Sequence, residues 1–289
     1  MQAYLFGVLI TFFMYLIFSK NKNIQYVMTA LPLCVISAIR YDVGTDYFYR
    51  YVPIYRALWN GYDVENLEIG FKLFIKLLIN FTSDYQILFI ITSIVIVYGI
   101  IGIIFKYSKK PIISIVLFFL LGYYFESMNL VRQYMALSLS MIAFDKMMEK
   151  KHFQYIIYTF IATSIHNVAI VSVFYILLSK IKLLKPNHLG CFIVVIIIFK
   201  NIFLNIIIFL LNNTRFLNYE NTKYFESDLP ILLLILNIAI YFVLYYFMLV
   251  KKEKLSKEEK IFLNLQFFSI VTCLLGDIMM IFIRIICFV

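Results

Sequence analysis

The stretch from Lys151 to Lys180, KHFQYIIYTFIATSIHNVAIVSVFYILLSK, decides how this chain is threaded. Its apolar run, 153–179, is long enough for one transmembrane helix, since about 20 residues cross the hydrocarbon layer. A single crossing would place Lys180, Lys182 and Lys185 opposite Lys146, Lys150 and Lys151, and would leave the cluster from Lys251 to Lys260 on that far face too. A break at His166-Asn167 instead gives two short helices that return to the starting side. All five lysine clusters, counting Lys20 with Lys22 and Lys106 with Lys109 and Lys110, then face one compartment, as the positive-inside bias requires. Charge bias sets orientation more reliably than span length. The spacing therefore predicts a broken hairpin with its apex at His166 on the non-cytoplasmic side.

The rest of the chain fits that frame. Hydrophobic residues make up 63% and charged ones 15%, and mean hydropathy is +0.91, beyond what a soluble domain carries. Apolar blocks at 3–18, 24–39, 85–105, 111–125, 133–147, 189–211, 230–250 and 261–283 read as helices, because in lipid the backbone must satisfy its own hydrogen bonds. The short alternating segments of a membrane β-barrel are missing. The expected fold class is all-α: one polytopic transmembrane domain over 1–289 with about ten membrane segments and outer loops at 40–66, 126–132 and 212–229. The first block has no basic residue before it and no small-residue cleavage site after it, so it reads as a span rather than a secretory signal. Lys200 falls in mid-span, where it either faces protein or marks another break with Asn201 and Asn205. Around 67–81, Glu68, Lys72 and Lys76 share one helical face with Leu73, Phe74, Leu77 and Leu78 opposite, the pattern of an amphipathic helix on the outer surface.

The net charge of +10 lies in short loops, which reads as membrane orientation and not as a nucleic-acid surface. Cys34, Cys191, Cys273 and Cys287 stand singly in apolar stretches, so no disulfide framework or thiolate metal site is expected. His152, His166 and His188 have no metal-ligand spacing either, and no cofactor is expected.

The six arginines sort differently from the twenty lysines: Arg40, Arg50, Arg56, Arg132, Arg215 and Arg284 all fall at the outer boundary or in outer loops. A guanidinium matches phosphate or carboxylate bidentately, which an ammonium does not. In the loop 40–66, Arg40, Asp42, Asp46 and Tyr47 stand with further tyrosines, a mixture suited to sugar hydroxyls and sugar ring faces. An interfacial aromatic belt explains the tyrosines but leaves Asp42 and Asp46 beside Arg40 unexplained. Gly44 permits a tight turn between the two acids. The next outer boundary carries Glu126, Asn129, Arg132 and Gln133, ionisable or polar groups where a span ends and so functional candidates. His166, level with them at the break, suits a proton acceptor. Arg215 and Tyr219 in the loop 212–229, and Arg284 after the last span with Asp277 before it, complete the candidates.

Arg40 followed by Gly44-Thr45-Asp46-Tyr47, then Glu68-Ile69-Gly70-Phe71, then Met128-Asn129-Leu130-Val131-Arg132-Gln133, then Lys151-His152-Phe153 and Ile165-His166-Asn167 form an ordered set over residues 1–285. In that order and spacing the chain resembles the EpsG family of exopolysaccharide and capsule proteins, a Wzy-type polymerase group. Family members continue past the arginine that Arg284 resembles, whereas this sequence stops at Val289. The resemblance implies a multi-pass, GT-C-like enzyme of the bacterial cytoplasmic membrane. It would join oligosaccharide repeat units carried on undecaprenyl pyrophosphate, on the outer face, alongside other polysaccharide assembly proteins. Outer-face arginines would hold the pyrophosphate without a metal, and His166 or Asp46 would take the acceptor proton. A flippase of lipid-linked sugars would share interior arginines and broken helices, but would carry charges along a path to both faces and an internal repeat. A membrane O-acetyltransferase would need key residues reaching the cytoplasmic side, where the loops hold lysines and little else.

Overall fold

The computed structural model describes residues 2–182, 185–211, 231–250 and 256–275, and every regular element among them is helical. The chain divides into two compact units, 1–172 and 173–289.

The first unit opens with α1 (Gln2–Ile17) and α2 (Lys22–Ala38). The Asn21 side chain starts α2 by accepting the backbone N–H of Asn23 and Ile24, two donors the first turn leaves unpaired. After α2 comes a loop region with a π-helical turn (Tyr47–Tyr51) running into α3 (Val52–Trp59). Then follow α4 (Ile69–Ile79), α5 (Gln86–Tyr107), α6 (Pro111–Leu120), α7 (Tyr123–Asn129), α8 (Val131–Met148) and α9 (His152–Ile165). Small polar residues let these helices meet closely, as membrane bundles favour. Ser37 of α2 and Ser93 of α5 share a hydrogen bond of 2.8 Å, and Ser138 of α8 donates to the Val95 carbonyl at 2.8 Å. A Cβ on Gly99 would lie 1.8 Å from Ser138 Oγ, so that contact needs glycine.

The unit is polar along its length. Lys106 ends α5, Lys146 ends α8 and Lys151 precedes α9, and all three bind Glu149 at 2.5–3.1 Å. Lys106 also binds Asp145 at 2.6 Å. Their hydrogen bonds hold the Glu149 carboxyl far below the usual range. Arg40 follows the other end of α2, Gln86 begins α5, Arg132 begins α8 and His166 follows α9. The lysines and the candidate site residues thus occupy opposite ends of the same helices.

The break expected at His166-Asn167 is present. His166 is the extended C-cap of α9 (φ −149°, ψ 118°), and a 3-10 run (Asn167–Phe174) follows it. Tyr155 donates its hydroxyl to the Ser172 carbonyl at 2.8 Å. Tyr155 stands about 16 Å down α9 from His166, so residues 167–172 double back along that helix, as a hairpin requires.

In the second unit α10 (Tyr175–Leu178), α11 (Pro186–Leu211), α12 (Ile231–Val250) and α13 (Lys257–Leu275) follow. Helix α11 continues through Lys200, Asn201 and Asn205 without a break. Tyr241, Phe267 and Ile270 centre its apolar core. Asn237 Oδ1 accepts from Gln266 and Ser269 at 2.8 and 2.6 Å, which ties α12 to α13.

The described residues do not reach the expected total of about ten membrane segments. Among the described residues two helices are long and apolar enough to cross a bilayer, Gln86–Tyr107 and Ile231–Val250. The pair Pro111–Leu120 and Tyr123–Asn129, bent by 59°, makes a third if it is one span. The bend falls at Gly122, whose φ of 85° is a left-handed conformation that favours glycine. Several of the other apolar blocks fold into shorter helices: α1 has 16 residues and α9 has 14.

Helix α4 forms where the amphipathic pattern placed it and keeps an exposed apolar face, but a second apolar face packs into the protein. Phe71, Ile75 and Leu78 are buried, while Leu73 and Leu77 are 61% and 57% exposed. Glu68 caps the helix and turns away from the lysines into the protein.

Candidate functional site

Three side chains from distant parts of the chain meet at the end of the first unit opposite the lysines. Glu68 Oε2 pairs with Arg132 Nη1, and Glu68 Oε1 lies 3.0 Å from His166 Nδ1. The side chains of Arg132, His166 and Glu68 are 7%, 10% and 12% exposed, so the charges are tolerated because they are paired. Burial pushes the Glu68 carboxyl up, but the His166 hydrogen bond and the Arg132 charge outweigh it and hold the carboxyl below its ordinary value. An ionised carboxylate only accepts, so His166 Nδ1 carries the proton in that bond. The other ring nitrogen, Nε2, is buried without a hydrogen-bond partner. A neutral His166 therefore presents an unoccupied lone pair, oriented by a carboxylate that is itself fixed by a guanidinium.

Local sequence explains each placement. Gly70 lets α4 approach α9: a Cβ there would fall 2.2 Å from Ser164 Oγ and 2.7 Å from the Ser164 carbonyl carbon. That close crossing sets Glu68 against His166. Leu130 (φ −90°, ψ 53°) separates α7 from α8, so Arg132 starts a fresh helix. Its backbone N–H donates to the Tyr51 hydroxyl at 3.4 Å, and its guanidinium sits 5.8 Å from the Phe71 ring centre.

The Gly44-Thr45-Asp46 turn rests on the second motif. Asn129 Oδ1 accepts from the Asp46 backbone N–H at 3.0 Å and from Thr45 Oγ1 at 3.4 Å. Gly44 has φ 85°, and a Cβ there would lie 2.6 Å from Asn129 Oδ1, so both conformation and space require glycine. The Asp46 carboxylate faces Arg50 at 3.9 Å, one turn along its own segment, rather than Arg40 or Arg132. Arg50 lies one turn further along the same segment, and Arg132 Nη1 is already paired with Glu68.

Arg40 has partners of its own and is 4% exposed. Its Nη1 donates to Ser37 and Ser93 hydroxyls at 3.1 and 3.0 Å, and the guanidinium stacks 4.6 Å from the Phe89 centre. Nε and Nη2 have no partner. Tyr47 is 1% exposed, stacked on Phe89 at 4.3 Å and bonded to Gln86 Oε1 at 3.2 Å, so it is packed as wall rather than presented to a sugar. Asp42 is exposed, with a left-handed φ of 51°. Glu126 is exposed and accepts the Tyr134 hydroxyl at 2.8 Å, and Gln133 is buried. Arg215, Tyr219, Asp277 and Arg284 lie outside the described residues.

Glu68 is the residue that sequence reasoning misplaced. Its spacing with Lys72 and Lys76 places it on the polar face of a surface helix, although Glu68-Ile69-Gly70-Phe71 belongs to the ordered motif set.

Neither the curated proteins nor the solved structures yield a match to this chain. The EpsG family profile does match, over residues 23–289 and so nearly the whole length, and together with the apolar helices it identifies the chain as a membrane protein that belongs to the EpsG family.

Proposed function

We propose that this chain is a polysaccharide polymerase of the bacterial cytoplasmic membrane, multi-pass and GT-C-like, acting on the outer face. Its substrates are oligosaccharide repeat units on undecaprenyl pyrophosphate. Membership of the EpsG family supports an exopolysaccharide-related polymerase. The observation that carries the chemistry is the buried, unpartnered Nε2 of His166, oriented through Nδ1 by Glu68.

In this reading His166 Nε2 takes the proton from the acceptor hydroxyl as that oxygen attacks the anomeric carbon of the donor sugar. The bond from that carbon to the lipid diphosphate breaks, and its electron pair leaves on the diphosphate oxygen. Glu68 is a positioning residue: it fixes the imidazole tautomer and stabilises the imidazolium that forms. Arg132 holds Glu68, and the arginines at this end, including the two free donors of Arg40, supply positive field for the departing diphosphate. The lysine-lined opposite end then faces the cytoplasm.

The test is purified protein in nanodiscs supplied with a lipid-linked oligosaccharide, with products resolved as a ladder. The wild type is expected to build polymer and His166→Ala to lose about 10²–10⁴ of the rate. A ladder of unchanged rate from His166→Ala would overturn the assignment. Transport of the lipid-linked sugar across liposomes without any polymer would favour a flippase.

A further inference from the structure

A second polar feature begins one helical turn from Glu68. Between α3 and α4 lies a groove of about 530 Å³, lined by Leu58, Tyr62, Asp63, Lys72, Lys76 and Asn80 among others. Lys72 pairs with Asp63 across it. Lys76 is exposed and has no ion pair among the described residues, so the groove carries an uncompensated positive charge. These are the only two lysines in a segment, 40–84, that otherwise uses arginine.

The lysines lie along one edge of an apolar stripe. Ile69, Leu73 and Leu77, spaced at i, i+4 and i+8, are 73%, 61% and 57% exposed, and Phe81 beyond them is 78% exposed. Trp59, which ends α3, is 47% exposed. An exposed apolar ridge bordered by lysines and aromatics is the surface of a helix lying at the lipid–water boundary. A molecule bound there would set an anionic head against Lys72 and Lys76 and an apolar tail along the ridge.

We propose that this groove holds the diphosphate of the acceptor's polyprenyl carrier, with the identity of the lipid resting on the polymerase reading above. Continuity with the site favours this occupant over a bulk phospholipid. Lys72 lies about 6 Å, and Asn80 about 18 Å, along the α4 axis from Glu68. The reacting hydroxyl of a lipid-linked acceptor is at the sugar end, remote from its diphosphate. A diphosphate held some way down α4, with its sugars running back towards His166, meets that separation. The donor's diphosphate departs at the reacting carbon and so needs a different place, nearer the triad.

The chain has a single tryptophan, Trp59, next to groove-lining Leu58, so its fluorescence reports on the groove. Undecaprenyl diphosphate titrated into the full-length protein in neutral detergent is expected to change Trp59 emission saturably. Phosphatidylglycerol at equal concentration should bind at least tenfold more weakly. Lys72→Gln combined with Lys76→Gln should weaken the diphosphate titration at least tenfold, while Asp63→Asn, which frees Lys72, should tighten it. His166→Ala should leave the titration unchanged. An unaltered titration in the double lysine variant, or equal affinity for phosphatidylglycerol, overturns the proposal. A normal titration in a protein that makes no polymer would count against the polymerase reading alone. Polymer formation without any titration would count against the groove alone.

Discussion

Glu68 carries its charge in a setting that is only 12% exposed, and it does so because both oxygens are engaged. Its depressed pKa has a definite consequence for stability. The stabilisation is fully present above the unfolded carboxyl's value of about 4.5 and is lost as pH falls through the lower folded value. Thermal unfolding followed below pH 5 should therefore show a steeper fall for the wild type than for Glu68→Gln, and equal slopes would remove the buried ion pair as a stabilising element. In activity, Glu68→Gln should lower kcat at least tenfold with KM little changed, since Glu68 orients the base without touching substrate. Arg132→Lys should lose nearly as much polymer formation as Arg132→Ala. An ammonium lacks the planar fork that reaches Glu68 while lying over Phe71, and full activity in the lysine variant would reduce Arg132 to a generic charge.

At the scale of elements, the site depends on how closely α4 crosses α9. Gly70→Ala places a methyl against the Ser164 backbone as well as its hydroxyl, so Ser164→Ala cannot relieve the clash. The helices must separate, and Glu68 moves away from His166. The expected cost is about 1–3 kcal/mol in stability together with loss of polymer formation. The combined Gly70→Ala, Ser164→Ala protein should remain defective, and recovery of its activity would show that only the side chain was in the way. Gly61 offers the contrast: it has φ 81° but nothing within 4 Å, so Gly61→Ala brings backbone strain alone and should spare the triad.

For the whole molecule, the opposition of lysine and arginine ends predicts the sidedness of the chain. In a cysteine-free background, a cysteine in place of Asn167 should react with a membrane-impermeant thiol reagent added outside intact cells. A cysteine in place of Lys182 should not. Labelling at 182 from outside would mean that the chain crosses once between these positions and would invert everything after them. The hydrogen bond from Tyr155 to Ser172 already shows the chain doubling back after His166, in agreement with the charge distribution.

The sequence by itself determined the helical class, the membrane environment, the grouping of lysines and the break at His166-Asn167. Each of these is a local or additive property: hydropathy over one helix length, charge per loop, a polar pair interrupting an apolar run. The motif order also pointed to the EpsG family. Tertiary structure alone decided which charges meet. Glu68 reaches His166 across 98 positions and Arg132 across 64, contacts that helical spacing cannot encode. The same holds for Tyr47, whose ring stacks on Phe89 instead of facing solvent, and for Asp46, which faces its near neighbour Arg50. A buried charge selects its partner by helix docking, and docking is set by close crossings such as Gly70 on Ser164, which have no periodic signature in the chain.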